Sequence, residues 1–249
     1  MFKVLLVAFC SCLFAFISCA SPLEPSEQHP LPPYGRNIPD DYALLYAQDF
    51  STERVLEDFE MTDPSTWRLG TDNGDHFLEL FQGVGDYRPR VRSPRSIALL
   101  TKVAVGDFIL EIDAESTDIH DGAHRDVCFF FGAKDPSNFY YAHIATKADP
   151  NAHNIFLVND APRTNIAEQT TGGVEWGVGI RHRIRIERTI EDGKIRVFFN
   201  DMATPIMEAT HHHFDFGHVG FGSFDNICRF YEMRLYASSE APRQDDFFQ

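Results

Sequence analysis

The chain has 249 residues, 43% of them hydrophobic, and carries 37 Asp and Glu residues against 22 Lys and Arg, for a formal net charge of −15. Such an acidic surface repels nucleic acid and anionic membranes, which argues against both as general partners. The length suits one large β-domain, because sandwiches and barrels commonly reach this size as a single unit.

The first twenty residues have the features of a secretory signal. Lys3 precedes an apolar run from Val4 to Ile17 that is too short to span a bilayer. Two cleavage positions fit: after Ala20, or before Cys19, which would then be lipidated as in bacterial lipoproteins. Residues 1–20 are therefore predicted to be a signal peptide, and we expect a secreted or periplasmic protein or a lipoprotein of the cell envelope.

The next stretch, residues 21–48, is rich in proline and poor in apolar residues, which predicts an extended tether. Within it, residues 40–47 suit either a short helix or a lead-in strand. We expect the folded domain to cover residues 49–238 and a polar tail to cover residues 239–249.

Beyond the predicted signal, Cys128 and Cys228 remain, both in apolar, strand-like segments. An oxidising compartment permits a disulfide between them, but their apolar surroundings favour two separate buried thiols. No segment has the cysteine spacing of a zinc site. His211–His213 also predicts no metal site, because adjacent strand residues point to opposite faces and nothing nearby completes a ligand set.

Short strands separated by turn signals follow one another through the predicted domain, with almost no helical periodicity. The strands are predicted at residues 77–81, 97–103, 108–115, 127–132, 139–145, 154–158, 181–189, 194–200, 205–209, 217–223 and 230–236. Their spacing of about 8–12 residues predicts an all-β fold, a two-sheet antiparallel jelly-roll sandwich.

The three consecutive strands between His124 and Arg163 hold the candidate site. Side chains alternate across a strand, so one apolar row of the first two strands is predicted to face the core: Val127, Phe129, Phe131, Tyr140, Ala142 and Ile144. We expect the opposite row to form an aromatic-lined surface that faces water: Asp126, Cys128, Phe130, Tyr141 and His143.

The order of several local patterns resembles a known family. They are Asp107–Glu111, Phe129–Gly132, Phe139–Ile144, Trp176 followed by His182–Ile186, the turn Phe199–Asp201, and Gly217–Gly222 leading to Phe230–Leu235. This succession, over roughly residues 50–236, resembles the concanavalin A-like lectin/glucanase jelly roll, particularly the 3-keto-disaccharide hydrolase domain family of bacterial secreted proteins. The turn glycine usual in that family is Asp201 here.

The resemblance implies action on glycosides whose sugar has been oxidised to a 3-ketone. The ketone acidifies the C2 proton, and loss of that proton generates an enolate that expels the C1 substituent, which requires a base, an enolate-stabilising group and an acid. His143 is the candidate base. Asp126, one diagonal step away in the hairpin, orients it, and Arg125 and His124 support the reaction from the mouth of the strand.

Arginine side chains suit carboxylate, sulfate or vicinal hydroxyls. Tyr87–Arg95 contains four of them, so Arg88 and Arg92 are predicted to line a sugar-binding rim, with a solvated loop as the alternative. The further substrate-binding candidates are Tyr141, Asn159, Asp160 and Arg163. Asn and Asp at a strand end also form turns. We expect an oligo- or polysaccharide partner, membrane contact only through a lipid anchor, and a monomer.

Two alternatives remain. A non-catalytic glycan-binding module would use the same face. Glu111, Asp113 and Glu115 match the Glu-x-Asp-x-Glu pattern of retaining β-glucanases in this superfamily, in which they would be nucleophile, tuning partner and acid/base. No cofactor is expected to be required. A structural Ca²⁺ is common in the superfamily, and Asp58 or Asp225 are its candidate ligands.

Overall fold

The computed structural model describes residues 28–120, 122–243 and 247–248. The predicted signal peptide, including Cys19, lies outside these residues. The described part contains β-strands and three short 3-10 helices, at Glu53–Asp58, Pro64–Thr66 and Gly122–His124, but no α-helix. None of its helices has the length and apolar character needed to cross a membrane.

Seventeen strands make up the described fold. In chain order they are β1 (Ala43–Gln48), β2 (Phe59–Met61), β3 (Trp67–Asp72), β4 (Asp75–Leu80), β5 (Ser96–Val105), β6 (Phe108–Ser116), β7 (Asp126–Asp135), β8 (Asn138–Ala145), β9 (Asn154–Asn159), β10 (Thr164–Asn165), β11 (Gln169–Thr170), β12 (His182–Arg188), β13 (Lys194–Phe199), β14 (Met207–Thr210), β15 (Gly217–Ser223), β16 (Cys228–Ala237) and β17 (Glu240–Ala241).

The strands form two antiparallel sheets that pack face to face. The nine-stranded sheet has the order β11-β14-β13-β12-β6-β16-β4-β3, and β1 pairs with the C-terminal half of β16. The eight-stranded sheet has the order β10-β9-β8-β7-β15-β5-β17, and β2 pairs with β5. The predicted all-β, two-sheet antiparallel sandwich is therefore confirmed.

Apolar side chains fill the space between the sheets. The row of β7 and β8 that was predicted to face the core does so, with every member at most 1% exposed: Val127, Phe129, Phe131, Tyr140, Ala142 and Ile144. The nine-stranded sheet contributes Ile112 and Ile184 to the same core. Burial of each such large apolar side chain stabilises the fold by about 2–3 kcal/mol.

The other face of the eight-stranded sheet is a second apolar cluster, so the prediction that this row faces water is wrong along most of its length. Cys128, Phe130 and Tyr141 are at most 1% exposed, because Val91 of the loop after β4 and Phe247 near the C-terminus pack over them. Left uncovered, the aromatic row would form a contiguous apolar patch of a kind that soluble proteins rarely expose. Its end, where β7 begins and β8 ends, borders a cleft.

Residues 28–48, predicted as part of a tether, belong to the folded domain. β1 pairs with β16. Ahead of it, Tyr34 packs its ring 3.2 Å from the guanidinium of Arg183, which also donates a hydrogen bond to the carbonyl of Pro32. The proline-rich chain turns at residues 34–37 and lies along the outer face of the nine-stranded sheet, where arginines supply donors for its carbonyl groups.

The described residues of the predicted polar tail at 239–249 pack against the fold. Glu240–Ala241 pairs with β5 as β17. The backbone N–H groups of Phe247 and Phe248 donate to the carboxylate of Glu60, at 2.8 and 2.5 Å, and the Phe247 ring enters the second apolar cluster. Two phenylalanines at the end of a polar stretch therefore close the outer face of the eight-stranded sheet.

Candidate functional site

Half of the predicted site residues meet in a cleft of about 590 Å³ at one end of the eight-stranded sheet, a volume typical of small-ligand sites. Its walls are loop 82–95, the segment 117–125 before β7, loop 146–153 after β8 and the turn 224–227 between β15 and β16. The described lining residues are Val84, Arg92, Asp118, His124, Asp126, His143, Asp149, Asn151, Ala152, Arg163, Phe224, Asp225 and Asn226.

His143 and Asp126 lie side by side on the floor of this cleft. Cys128 of β7 is the register partner of His143 on β8, so Asp126 lies on the diagonal, as the hairpin predicted. Nε2 of His143 is 3.0 Å from Oδ2 of Asp126. Both side chains are nearly buried, at 6% and 3% exposed, so the pair is shielded from bulk water.

Neighbouring groups hold both members of the pair. Nδ1 of His143 lies 3.2 Å from the carbonyl oxygen of Asn151. A carbonyl only accepts, so Nδ1 carries the hydrogen of this bond. Oδ1 of Asp126 accepts from the hydroxyl of Ser223 (2.8 Å) and the backbone N–H of Phe224 (3.2 Å). These bonds leave Nε2 and Oδ2 as the two atoms that face each other.

Arg163 forms one wall of the cleft. Its guanidinium lies 4.5 Å from the ring centre of Phe224 and donates a 2.8 Å hydrogen bond to the hydroxyl of Tyr141. Tyr141 itself is buried behind the wall, and burial raises the pKa of its hydroxyl well above the usual value. Tyr141 therefore positions Arg163. The backbone N–H of Arg163 donates to the carbonyl of Arg92, whose side chain also borders the cleft.

Arg125 and Arg88 do not reach the cleft. Arg125 follows His124 directly but turns to the other side of the chain, where its guanidinium donates to the hydroxyl and carbonyl of Ser116. Arg88 is exposed and donates to the carbonyls of Gly85 and Tyr87, at 2.7 and 2.9 Å. The geometry thus gives Arg88 the role of a solvated loop arginine and Arg125 a structural one.

Asn159 and Asp160 lie at the end of β9 that is remote from the cleft. β9 pairs Asn154 with His143, whereas Asn159 pairs with Asn138, five residues and about 17 Å further along the strand. Asp160 has φ +49° and its N–H donates to the carbonyl of Ser137, which makes it a turn residue. Strand direction separates these two residues from the site.

The three acids of the Glu-x-Asp-x-Glu pattern share one face of β6, as alternation requires, but each is engaged by the protein itself. Glu111 accepts from the N–H of Gly35 (2.7 Å), Asp113 binds Arg183 through both carboxylate oxygens, and Glu115 accepts from the hydroxyl of Tyr231 (2.5 Å). The N-terminal segment contacts Glu111 and the Arg183 partner of Asp113, whereas Glu115 borders a separate cleft of about 660 Å³. This geometry does not support a retaining β-glucanase.

The residues named in the other metal and cysteine predictions lie in different parts of the structure. Cys128 and Cys228 are both buried and free. Nδ1 of His211 lies 2.7 Å from the hydroxyl of Tyr140. Of the two candidate calcium ligands, Asp58 accepts a hydrogen bond from Tyr46 far from the cleft, whereas Asp225 lines the cleft. The structural Ca²⁺ stays a prediction.

Several residues of the cleft were not singled out in the sequence. Asn151 stands in the turn signal Asp149-Pro150-Asn151, but nothing in that signal indicates that its carbonyl would hold a histidine. Asp118 and Asn226 lie in connections and enter the cleft only because of how the sheet is ordered.

No profile of a known protein family matches this sequence, and no curated protein matches it. Solved structures do match its fold. Lectin I-B4 from Griffonia simplicifolia, in its metal-free form, is similar with a TM-score of 0.50 and 13% sequence identity, over 79% of this chain and 99% of the lectin. The fold is concanavalin A-like. This confirms the predicted jelly-roll fold, whereas membership of the 3-keto-disaccharide hydrolase family stays a prediction.

Two further structures with this fold are weaker matches. The carbohydrate-binding module CBM66 from Bacillus subtilis has a TM-score of 0.49 and 17% identity, over 70% of this chain and 92% of the module. Peanut lectin has a TM-score of 0.49 and 12% identity, over 81% of this chain and 99% of the lectin. At identities this low, the activity has to be argued from the cleft.

Proposed function

We propose that this protein acts on carbohydrate outside the cytoplasm, and that His143 in the cleft removes a proton from a sugar that carries a 3-ketone. One observation carries the proposal: Nε2 of His143 and Oδ2 of Asp126 lie 3.0 Å apart on the floor of a polar cleft in a concanavalin A-like fold. The secretory signal predicted at residues 1–20 supports the compartment.

The mixed charge of the cleft favours a neutral, hydroxyl-rich ligand. Among the described residues, its lining holds four aspartates, two arginines, two histidines and two asparagines. A sugar hydroxyl both donates to carboxylates and accepts from guanidinium and amide groups, so a lining that carries both charges suits it. A volume of about 590 Å³ accommodates a small saccharide.

In this proposal Nε2 of His143, which is buried against Asp126, turns towards the cleft to take the proton from the substrate. With Nδ1–H bound to the carbonyl of Asn151, Nε2 is the nitrogen that can accept a proton. The C2–H bond breaks, its electron pair forms the enolate with the C3 ketone, and collapse of the enolate breaks the bond from C1 to the leaving oxygen. The carboxylate of Asp126 stabilises the imidazolium that forms beside it.

Two other cleft residues complete the proposed reaction. Arg163 is a cation of the cleft wall with a fixed direction, so in this proposal it stabilises the enolate oxygen in place of Arg125. His124 lies at the exposed rim and protonates the departing oxygen.

The second candidate function, a glycan-binding module without turnover, is favoured by the small exposure of the His143 side chain, 6%, which suits a structural histidine.

The test compares turnover of a 3-keto-glycoside with a chromogenic leaving group in the native protein and in His143→Gln. We expect a loss of about 10²–10⁴-fold in kcat, because a positioned general base contributes that much. His76→Gln is the matched control, since His76 is exposed on the other sheet and should leave the rate unchanged. Glycan binding by the native protein without turnover would favour the binding module, and equal rates in native protein and His143→Gln would refute the base.

A further inference from the structure

Asp126, Cys128 and His143 bring three different metal-binding atoms together at the end of the eight-stranded sheet. Asp126 and Cys128 share a face of β7, and His143 stands opposite Cys128 on β8. A carboxylate oxygen, the thiol sulfur and an imidazole nitrogen all lie within 4.8 Å of one another. All three residues are buried, and two of them border the cleft.

The environment of His143 points to a cation. Its Nδ1–H is used by Asn151, so in the neutral ring Nε2 presents a lone pair. Nε2 is buried and makes no hydrogen bond, although Oδ2 of Asp126 is 3.0 Å away. A lone pair on Nε2 and a carboxylate oxygen at that distance can both bind one cation placed between them.

We propose that Asp126, Cys128 and His143 bind a divalent transition-metal ion of the zinc class, with an open coordination position that faces the cleft. Nitrogen, sulfur and carboxylate oxygen are the ligands that zinc takes in proteins, and three protein ligands with one open position are typical of its reactive sites. A sulfur ligand disfavours Ca²⁺ and Mg²⁺, which bind oxygen.

The distances fit such a site after small adjustments. Tetrahedral zinc, with bonds of about 2.0–2.3 Å, places neighbouring ligand atoms about 3.3–3.6 Å apart. The carboxylate of Asp126 lies 3.0 Å from Nε2 of His143 through Oδ2, and 3.8 Å from Sγ of Cys128 through Oδ1. All three ligand atoms lie within 4.8 Å of one another, so shifts of at most about 1.5 Å bring them into that range.

The groups behind the three ligands match those that commonly orient metal ligands. A histidine ligand usually donates its other N–H to a carbonyl or carboxylate, and here the carbonyl of Asn151 is that partner. Ser223 and the N–H of Phe224 fix Oδ1 of Asp126, which leaves Oδ2 available. Burial raises the pKa of the Cys128 thiol well above its usual value, so a bound metal has to displace its proton.

The metal site is independent of the proposed carbohydrate chemistry, but a bound metal ion would restrict that chemistry. A metal ion on Nε2 occupies the nitrogen that would accept the proton. We therefore expect the metal-loaded protein to be inactive as a proton-abstracting enzyme and a chelator to restore the rate. Cys128 is buried beside the cleft and is not needed for proton abstraction, so Cys128→Ser separates the two proposals.

The test titrates Co²⁺, and then Zn²⁺ in competition, into chelator-treated protein, followed by absorption spectroscopy and calorimetry. We expect one equivalent of Co²⁺ to bind, with a thiolate-to-cobalt charge-transfer band in the near ultraviolet. Cys128→Ser should lose the band and weaken binding more than about 100-fold, since loss of outer partners alone costs 10–100-fold. Cys228→Ser is the matched control, because Cys228 is equally buried but belongs to the core between the sheets.

The outcomes are decisive even if one variant folds poorly. Absence of stoichiometric Co²⁺ binding to the native protein would overturn the site. So would a charge-transfer band that persists in Cys128→Ser, or one that is lost in Cys228→Ser but kept in Cys128→Ser. Asp126→Asn should keep the band and bind more weakly, which tests the oxygen ligand without touching the sulfur. Failure of all carbohydrate turnover would leave these results unchanged.

Discussion

Acidification should weaken this fold through His153, the residue that anchors the loop behind the cleft. His153 is fully buried with φ +55°, next to the loop that carries Asn151. Its Nδ1 accepts from the backbone N–H of Ala145 at 3.3 Å, and its Nε2 lies 2.9 Å from the hydroxyl of Thr171. A backbone N–H only donates, so Nδ1 is unprotonated, and a proton placed there would face another donor.

The magnitude follows from the pKa of His153. Burial, and then the neighbouring His143, lower that pKa from 6.5 to about 4. Because the folded pKa is below the unfolded one, the unfolded chain holds the proton more tightly, so the contribution is complete above pH 6.5 and is lost as the pH falls towards 4. The full difference amounts to about 3 kcal/mol, and about 2 kcal/mol of it disappears between pH 7 and pH 5.

The assay is urea unfolding of the native protein and of His153→Asn at pH 7 and pH 5. Asparagine tolerates the left-handed backbone conformation at this position and does not titrate. Other titrating groups act in both proteins and cancel in the comparison. We expect the native protein to lose about 2 kcal/mol more than the variant on acidification. Equal losses would refute the assignment of a buried neutral His153.

Three further variants test the packing around the cleft and the outer sheet faces. Gly83→Ala should displace the loop after β4 and weaken ligand binding, because the added Cβ would lie 2.0 Å from a backbone oxygen of the turn after β15. Gly172→Ala is the control, since a Cβ at that position meets nothing within 4 Å. Equal ligand affinities of the two variants would contradict this packing. Arg183→Ala should cost about 3–5 kcal/mol in urea unfolding, since it leaves the buried Asp113 unpaired, and a loss below 1 kcal/mol would count against the ion pair. Phe247→Ala should cost about 3 kcal/mol and increase binding of a hydrophobic dye, and unchanged dye binding would show that the C-terminus does not cover the second apolar cluster.

The pairing of His143 with Asp126 is the part of the site that the sequence predicts best. Both residues lie on one β-hairpin, whose short turn sets the register between β7 and β8. Alternation then puts them on the same face, and the diagonal spacing brings their side chains into contact. All of this rests on interactions between residues close in sequence, so local pattern is sufficient.

The other walls of the cleft could not be predicted in this way. Asp126 is held by Ser223 because β7 and β15 are neighbours in the sheet, although they are nearly one hundred residues apart in the chain. Arg92 and Asp118 come from loops that meet only after the strands have taken that order. The local sequence does not determine which distant strands pair.

The sequence by itself determined eleven of the seventeen described strands, the apolar row that faces the core and the hairpin with its histidine and carboxylate, because a two-residue period is a local property of the chain. Only the tertiary structure decided that Phe247 covers the second face, that Arg183 binds both Asp113 and the N-terminal segment, and that Arg125 turns away from the cleft. Those outcomes depend on which distant segments bury one another's apolar surface and satisfy one another's charges. Only the folded chain as a whole determines which segments do so.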